Sequence, residues 1–404
     1  MPVPRQPGRM EYQTIILGAG AAGLMCAAHA GPGVLVIDHA KAPGEKIRIS
    51  GGGRCNFTNL YTGPENFLSE NPHFAKSALA RYTQWDFIDL VSRHGIAWHE
   101  KTLGQLFCDG SAKQIVAMLL AEIDRNGADL WLNTRLVNLS RGDDGFEITL
   151  DQDGQRRVLT CRNLVLATGG KSIPKMGATG LAYDIARRFG VRVTDTRAGL
   201  VPLTFAENRF SALSGVSLPA RLSNDRSGFE EALLFTHRGL SGPAVLQLSS
   251  YWREGEAITV DLVPGLHLLD KLRLQRSQEG RRQIRTELAR HLPTRLVGYL
   301  GETLPLDGRL ADQSDAKLEE LVDALSNWQL VPSGSEGYRT AEVTLGGIDT
   351  AALSSKSLQV QSVPGLFAIG EAVDVTGWLG GYNFQWAWSS GHAAGVAIAK
   401  AKQR

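Results

Sequence analysis

The apolar run Thr14-Ile15-Ile16-Leu17 meets the glycines of Gly18-Ala19-Gly20-Ala21-Ala22-Gly23, and Leu24–Ala30 then reads as helix. A short apolar run bounded by turn residues is the pattern of a buried strand. A second run, Val34-Leu35-Val36-Ile37, ends in Asp38, and Gly31-Pro32-Gly33 stops the helix between them. The pattern predicts a β-α-β unit over Glu11–Asp38. Phe74–His94 places Ala78, Tyr82, Trp85, Ile88, Leu90 and Val91 on a broad apolar face and predicts one helix. Ser111–Asn126 predicts another, with Ser111 and Gln114 spaced as a capping box. Leu130–Leu139, Phe146–Leu150 and Arg157–Cys161 predict a β-meander. Asn163–Leu166 predicts a buried strand running into Ala167-Thr168-Gly169-Gly170, then a helix over Gly180–Phe189 and a short strand over Val191–Val193.

The pattern changes near Thr196. Short alternating or apolar segments at Leu200–Phe205, Ala220–Leu222, Ala232–Phe235 and Ala257–Leu262 predict a mostly-β unit holding a short helix, Ala244–Ser250. Leu268–Leu330 has helical spacing with polar breaks at Gly301, Gly308 and Ser314. Leu366–Ile369 returns as a core strand, and Trp386–Ala401 as a helix. The expected class is α/β with a Rossmann-like dinucleotide-binding domain in two sequence parts, 11–195 and 341–404. An inserted domain, 196–340, is mostly β over 196–265 and mostly helical over 266–335.

Chemistry sharpens this. In strand–turn–helix context Gly18 permits the tight turn, Gly20 lets a pyrophosphate approach the backbone, and Gly23 lets helix and strand pack closely. The N–H groups of Ala21, Ala22 and Gly23 face the phosphates, and Asp38 accepts from ribose hydroxyls. This signal does not separate FAD from NAD. The block Ser50-Gly51-Gly52-Gly53-Arg54-Cys55-Asn56 follows Lys46 and Arg48. Three successive glycines sacrifice backbone entropy, which fits a close approach of backbone to a ligand. Ala167-Thr168-Gly169 is either a second close approach or a strand-end turn. Gly370, Glu371 and Asp374 follow a strand end, where ligands of open α/β sheets gather. Gly380-Gly381-Tyr382-Asn383 precedes the helix from Trp386 and offers N–H groups to a developing negative charge. Val137 is included among the cofactor-binding positions. His237, in Thr236–Pro243, is either catalytic or structural. Tyr382 and His237 are the acid–base candidates, and Asn383 joins them as a catalytic candidate. Cys55 is either an adduct-forming thiol, should the cofactor be a flavin, or a packing residue.

Bulk composition removes some classes. The net charge of +2 over 404 residues gives no reason to expect nucleic acid or a membrane surface as partner. The Arg-rich piece Arg273–Arg290 is either a nucleic-acid face or a solvated helix surface, and the second is expected. No run of 18 apolar residues occurs, and Met1–Met10 reads as a frayed tail rather than a signal peptide. Cys26, Cys55, Cys108 and Cys161 are scattered, which points to a reducing cytoplasm and against a metal or dithiol centre. The expected partner is a small-molecule substrate; oligomeric state is open.

Four stretches carry a resemblance that covers the chain from Tyr12 to Lys400. They are Ser50–Asn59 (S-G-G-G-R-C-N-F-T-N), Thr236–Pro243 (T-H-R-G-L-S-G-P), Thr344–Ile348 (T-L-G-G-I) and Gly370–Gln385. They resemble the BaiN/RdsA-type, YhiN-like flavoproteins. The resemblance implies FAD, a two-part FAD domain of the glutathione-reductase type with an inserted domain, and an NAD(P)/FAD-dependent oxidoreductase. Members are linked to reduction of unsaturated steroid-like acids and to amine oxidation, so no substrate carries over. Asp38 stands where a Glu is usual, Gly31–Gly33 is short, and Phe107-Cys108-Asp109-Gly110-Ser111 replaces a Phe-Pro-x-Ser pattern. The leading expectation is NAD(P)H-driven reduction of a small unsaturated substrate. NAD(P)H docks transiently, because only one full nucleotide fingerprint is present. The alternatives are an amine oxidase using O2, a flavin-bearing RNA-modification or RNA-binding protein, and a plain NAD-binding regulator.

Overall fold

A computed structural model describes residues 10–402, so the tail expected over Met1–Met10 lies almost wholly outside the described residues. The chain divides into two compact units, one made of residues up to Arg197 together with Val343 onwards, the other Ala198–Glu342.

The first unit is built on seven strands: β1 (Met10–Leu17), β2 (Val34–Ile37), β3 (Asp129–Trp131), β4 (Thr134–Gly142), β5 (Gly145–Gln152), β6 (Gln155–Leu166) and β7 (Leu366–Ala368). Their order is β3-β2-β1-β6-β5-β4, with β7 also on β6. The β3, β2, β1, β6 and β7 pairings are parallel; β4, β5 and β6 pair antiparallel. Ile15, Ile16, Leu35 and Val36 are fully buried, as expected of parallel strands covered on both faces. β6 is a single strand where the sequence reads two. Its first half completes the meander, with Cys161 opposite Phe146, and its second half enters the parallel sheet, with Leu164 beside Ile15 and Leu366. The polar Arg162-Asn163 marks that handover rather than a break.

Helix boundaries shift for local reasons. α1 is Ala21–Ala27, starting directly at the glycine turn. α2 is Glu45–Ile49. The single helix expected over Phe74–His94 is two: α3, Lys76–Arg81, and a helix Gln84–Arg93. Tyr82 turns extended, and Thr83 caps the second helix in a capping box with Asp86. Trp85, expected on the apolar face, is 59% exposed. Val191–Val193 makes only an isolated bridge, Val193 to Ile348. α4 runs from Tyr382 to Lys402, four residues earlier than expected, so Tyr382 and Asn383 lie within its first turn rather than ahead of it. α4 lies on α1 with backbones nearly touching. A Cβ at Gly391 would stand 2.5 Å from the Ala22 carbonyl oxygen, and one at Gly395 2.6 Å from that of Cys26.

The second unit carries a seven-stranded sheet. At its centre Ser217–Ser223 pairs antiparallel with Gly228–Phe235 and with Ile258–Asp261. Four helices, Leu268–Glu279, Ile284–Leu288, Thr294–Leu300 and Asp315–Ser326, follow. The Arg-rich piece runs over the first two and the turn between them, and most of its arginines are ion-paired. Arg273 and Arg276 pair with Asp315, Arg285 with Asp307, and Arg282 and Arg290 with Glu287. Among the described residues no helix is long and apolar enough to cross a membrane.

Candidate functional site

At the end of β1, Gly18 adopts φ +112, and a Cβ there would lie 2.4 Å from the Ala167 carbonyl oxygen. A Cβ at Gly23 would lie 1.9 Å from the Gly18 oxygen, so both positions admit only glycine. Gly20 differs: its φ of −86 suits any residue, yet nothing stands within 4 Å of where a Cβ would be. Open space at that position is what a pyrophosphate against the backbone requires. Asp38, expected to take ribose hydroxyls, is engaged by the turn itself. Its two oxygens accept from Ala19 N at 2.7 Å and Ala40 N at 2.9 Å. Each oxygen keeps a lone pair for a further donor.

The glycine block behaves likewise. Gly51, Gly52 and Gly53 have φ of +56, +65 and +84. A Cβ at Gly51 would meet the Phe107 ring at 2.7 Å, whereas Gly52 faces open space. Cys55 has φ +50, rare for a side-chain-bearing residue, and is fully buried. The chain therefore presents Arg54 outward and Cys55 inward. Burial pushes the Cys55 thiol up to about 12, so it is protonated and inaccessible. Both features are those of a packing thiol. Ser50 Oγ donates to Ile47 O at 2.8 Å, and the Asn56 and Gln105 side-chain amides meet at 3.1 Å. Arg54 is exposed.

Beside these loops lies a polar cluster assembled from distant positions. Lys46 Nζ donates to Glu371 Oε2 and to Ser172 Oγ, both at 2.7 Å. Glu371 Oε1 accepts from Ser172 Oγ and Thr344 N at 2.9 Å. Burial opposes ionisation of Glu371, but the Lys46 ammonium and these donors outweigh it and hold the carboxyl below its usual range. Gly169 (φ +71) passes this carboxylate, and Thr168 Oγ1 accepts from Ala182 N at 3.2 Å. Sequence reasoning missed Ser172 and Thr344 as members; the T-L-G-G-I motif was the available signal for the second.

The remaining expected residues have definite places. Gly370 (φ +64) donates to Ser390 Oγ and accepts from Trp386 Nε1, both at 3.0 Å, so α4 holds this turn. Asp374 is buried, which raises its pKa, and accepts from Glu70 N at 2.8 Å; it anchors a neighbouring loop. Asn59 Nδ2 donates to Gly380 O at 2.9 Å, and a Cβ at Gly381 would lie 2.4 Å from Thr58 O. Tyr382 is buried, edge-on to Phe67 and Trp378. Asn383 closes its own loop, accepting from Gly377 N and donating to Gly377 O, both at 2.8 Å. Val137 is the extra residue of a bulge in β4 and is 45% exposed. His237 belongs to the second unit, exposed between the strands Gly228–Phe235 and Gly239–Ser241. Within the first unit, Gly20, the Gly52 loop, the Lys46–Glu371 cluster and the Gly370 turn form a cradle of bare backbone and satisfied polar groups, which suits a dinucleotide.

The HI0933-like protein Rossmann domain family matches residues 12–397. A ribosomal RNA dihydrouridine synthase of Escherichia coli is 51% identical to this chain, covering 97% of it and 99% of the relative. Another, of Haemophilus influenzae, is 47% identical, covering 96% and 98%. A 3-dehydro-bile acid delta(4,6)-reductase of Clostridium scindens is 27% identical, covering 95% and 98%. The two relatives named for ribosomal RNA overturn the expectation of no nucleic-acid partner. That expectation rested on net charge, which sums over the whole surface and is blind to a local face without acids.

Proposed function

Because the chain belongs to the HI0933-like Rossmann-domain family and is an FAD-dependent oxidoreductase, we propose that it reduces the C5=C6 double bond of a uridine in ribosomal RNA to give dihydrouridine. The carrying observation is identity of 51% along 97% of the chain to a protein named for that reaction. The bile-acid reductase is also named for saturating carbon–carbon double bonds, so the chemistry spans relatives whose substrates differ.

Bound FAD supplies the hydride. The chain's residues do the rest. Gly20 and the N–H groups of Ala21–Gly23 would hold the pyrophosphate, and the Gly51–Gly53 loop would help to hold the ring. The Lys46–Glu371 cluster fixes the loops that meet there. Saturating a double bond needs a proton beside the hydride, delivered by a group within hydrogen-bond reach. Tyr382 is the proposed donor, with His237 the alternative. NAD(P)H is the proposed electron source, docking transiently.

The test begins anaerobically, mixing the yellow protein with NADPH and then NADH while flavin absorbance is followed. Deproteinised ribosomal RNA from cells lacking this gene is then added, and dihydrouridine is measured by nucleoside mass spectrometry. Flavin bleaching followed by dihydrouridine formation is expected. Tyr382→Phe is expected to keep its flavin and lose roughly 10²–10⁴-fold in turnover, whereas an equal loss in His237→Ala alone would move the role to His237. Flavin bleaching with no dihydrouridine formed would overturn the proposed substrate.

A further inference from the structure

Within the first unit, a cleft of ≈ 690 Å³ lies between the segment 71–74, just ahead of α3, and the segment 350–361. Its lining includes Asn71, His73, Phe74, Thr350, Ser354 and Lys356. Thr350 is only 2% exposed, yet its hydroxyl is buried without a hydrogen-bond partner. A polar atom in that state has its hydrogen-bonding capacity unused by the chain. The flanking sequence supplies charge of one sign. Residues 71–85 hold His73, Lys76 and Arg81 and no acid; residues 350–370 hold Lys356 and no acid. Lys76, Arg81 and Lys356 are the cations here; they and His73 are exposed, and none is ion-paired among the described residues. Glu70 and Asp349, which precede these two stretches in sequence, both pair with Arg192, at 2.8 Å each. Arg81 also braces the cleft, donating to Ser355 O at 3.3 Å. Phe74 packs edge-on against Trp386, the ring that holds the Gly370 turn, so cleft and cradle share one wall.

Unpaired cations beside hydroxyl and amide groups are the set that contacts phosphate and sugar rather than base edges. We propose that this cleft docks the sugar–phosphate backbone of the RNA substrate, outside the nucleotide that is reduced. The proposal rests on the ribosomal RNA reading above.

The test uses the full, FAD-loaded chain and deproteinised ribosomal RNA, with Kd measured by filter binding over a range of salt. The double variant Lys76→Gln/Lys356→Gln is expected to bind more weakly at fixed salt. The slope of log K against log salt should shrink by roughly 0.7–0.9 per lysine, the value of one released counterion contact. Thr350→Val, which loses no internal bond, is expected to weaken RNA binding without lowering Tm. Flavin content and bleaching by NADPH should be unchanged in all. Slopes and affinities equal to wild type would overturn the proposal. So would an equal loss in a control at exposed arginines elsewhere on the unit, Arg141→Gln/Arg162→Gln. Failure of the reading it rests on is seen separately, as wild-type protein that binds this RNA but forms no dihydrouridine.

Discussion

Gly20 and Gly23 sit in one turn and answer to different constraints. At Gly23 the protein's own backbone forbids a side chain, since a Cβ would stand 1.9 Å from the Gly18 oxygen; at Gly20 the protein leaves room and an ordinary φ. Gly20→Ala is therefore expected to unfold in urea within about 1 kcal/mol of wild type, the scale of a changed helix cap, yet to purify with little flavin. Gly23→Ala is expected to lose more than the roughly 1–3 kcal/mol typical of overpacking. Flavin absorbance per chain and the urea midpoint read both. A fully yellow Gly20→Ala protein would remove the pyrophosphate from this turn. The glycine spacing was legible in the sequence because the turn and the start of α1 are local, although Gly18 also makes room for Ala167, far along the chain. The Lys46–Glu371 pair was not legible as a pair, because its members lie 325 residues apart. The bonds of Asn383 were hidden for a related reason: its amide closes the Gly377 loop beside it, which composition does not reveal.

At the scale of elements, strands that pack on both faces announced themselves as apolar runs, and β1, β2 and β7 lie where those runs predict. Helix limits were harder. Gly-Gly-Tyr-Asn reads as loop, yet α4 already begins at Tyr382, because tertiary contacts fix its first turns. Trp386 bonds Gly370, and Trp388 Nε1 donates to Phe57 O at 2.8 Å. Likewise Tyr82 and Thr83 break one apolar stripe into two helices through a cap. The closeness of α4 to α1 gives a prediction of its own. Gly391→Ala gains helix propensity of about 1 kcal/mol but drives a methyl to 2.5 Å from Ala22 O. A net loss of about 1–2 kcal/mol is expected, with weaker flavin retention, since α1 carries the glycine turn at its start. Urea unfolding with flavin fluorescence checks it; unchanged stability would show that the helices separate freely.

For the molecule as a whole, pH enters through a buried ring cluster. His392 on α4 stacks on Tyr82 at 4.6 Å and meets His29 edge-on at 4.7 Å, and its Nδ1 is buried without a partner. Burial, with His29, Arg81 and Lys400 adding to it against Asp86, lowers His392 from 6.5 to about 4. The folded state therefore keeps this ring neutral while the unfolded chain protonates it near 6.5. Its share of stability is complete above 6.5 and is lost as pH falls toward 4. Wild type should lose more stability between pH 7.5 and 5 than His392→Leu does, measured by urea unfolding at each pH; parallel losses would show the ring is not the titrating group. The ties that build the cradle carry a last consequence. Asn59 to Gly380, Lys46 to Glu371, Thr58 to Gln385 and Phe57 to Trp388 span 321, 325, 327 and 331 residues. Contacts so far apart in sequence close late, after local structure has formed and the loop entropy between them has been overcome. The proposed flavin seat is thus among the last parts of the chain to exist during folding, and with the flavin held there the yellow colour of a preparation would measure the fraction of molecules whose topology is complete.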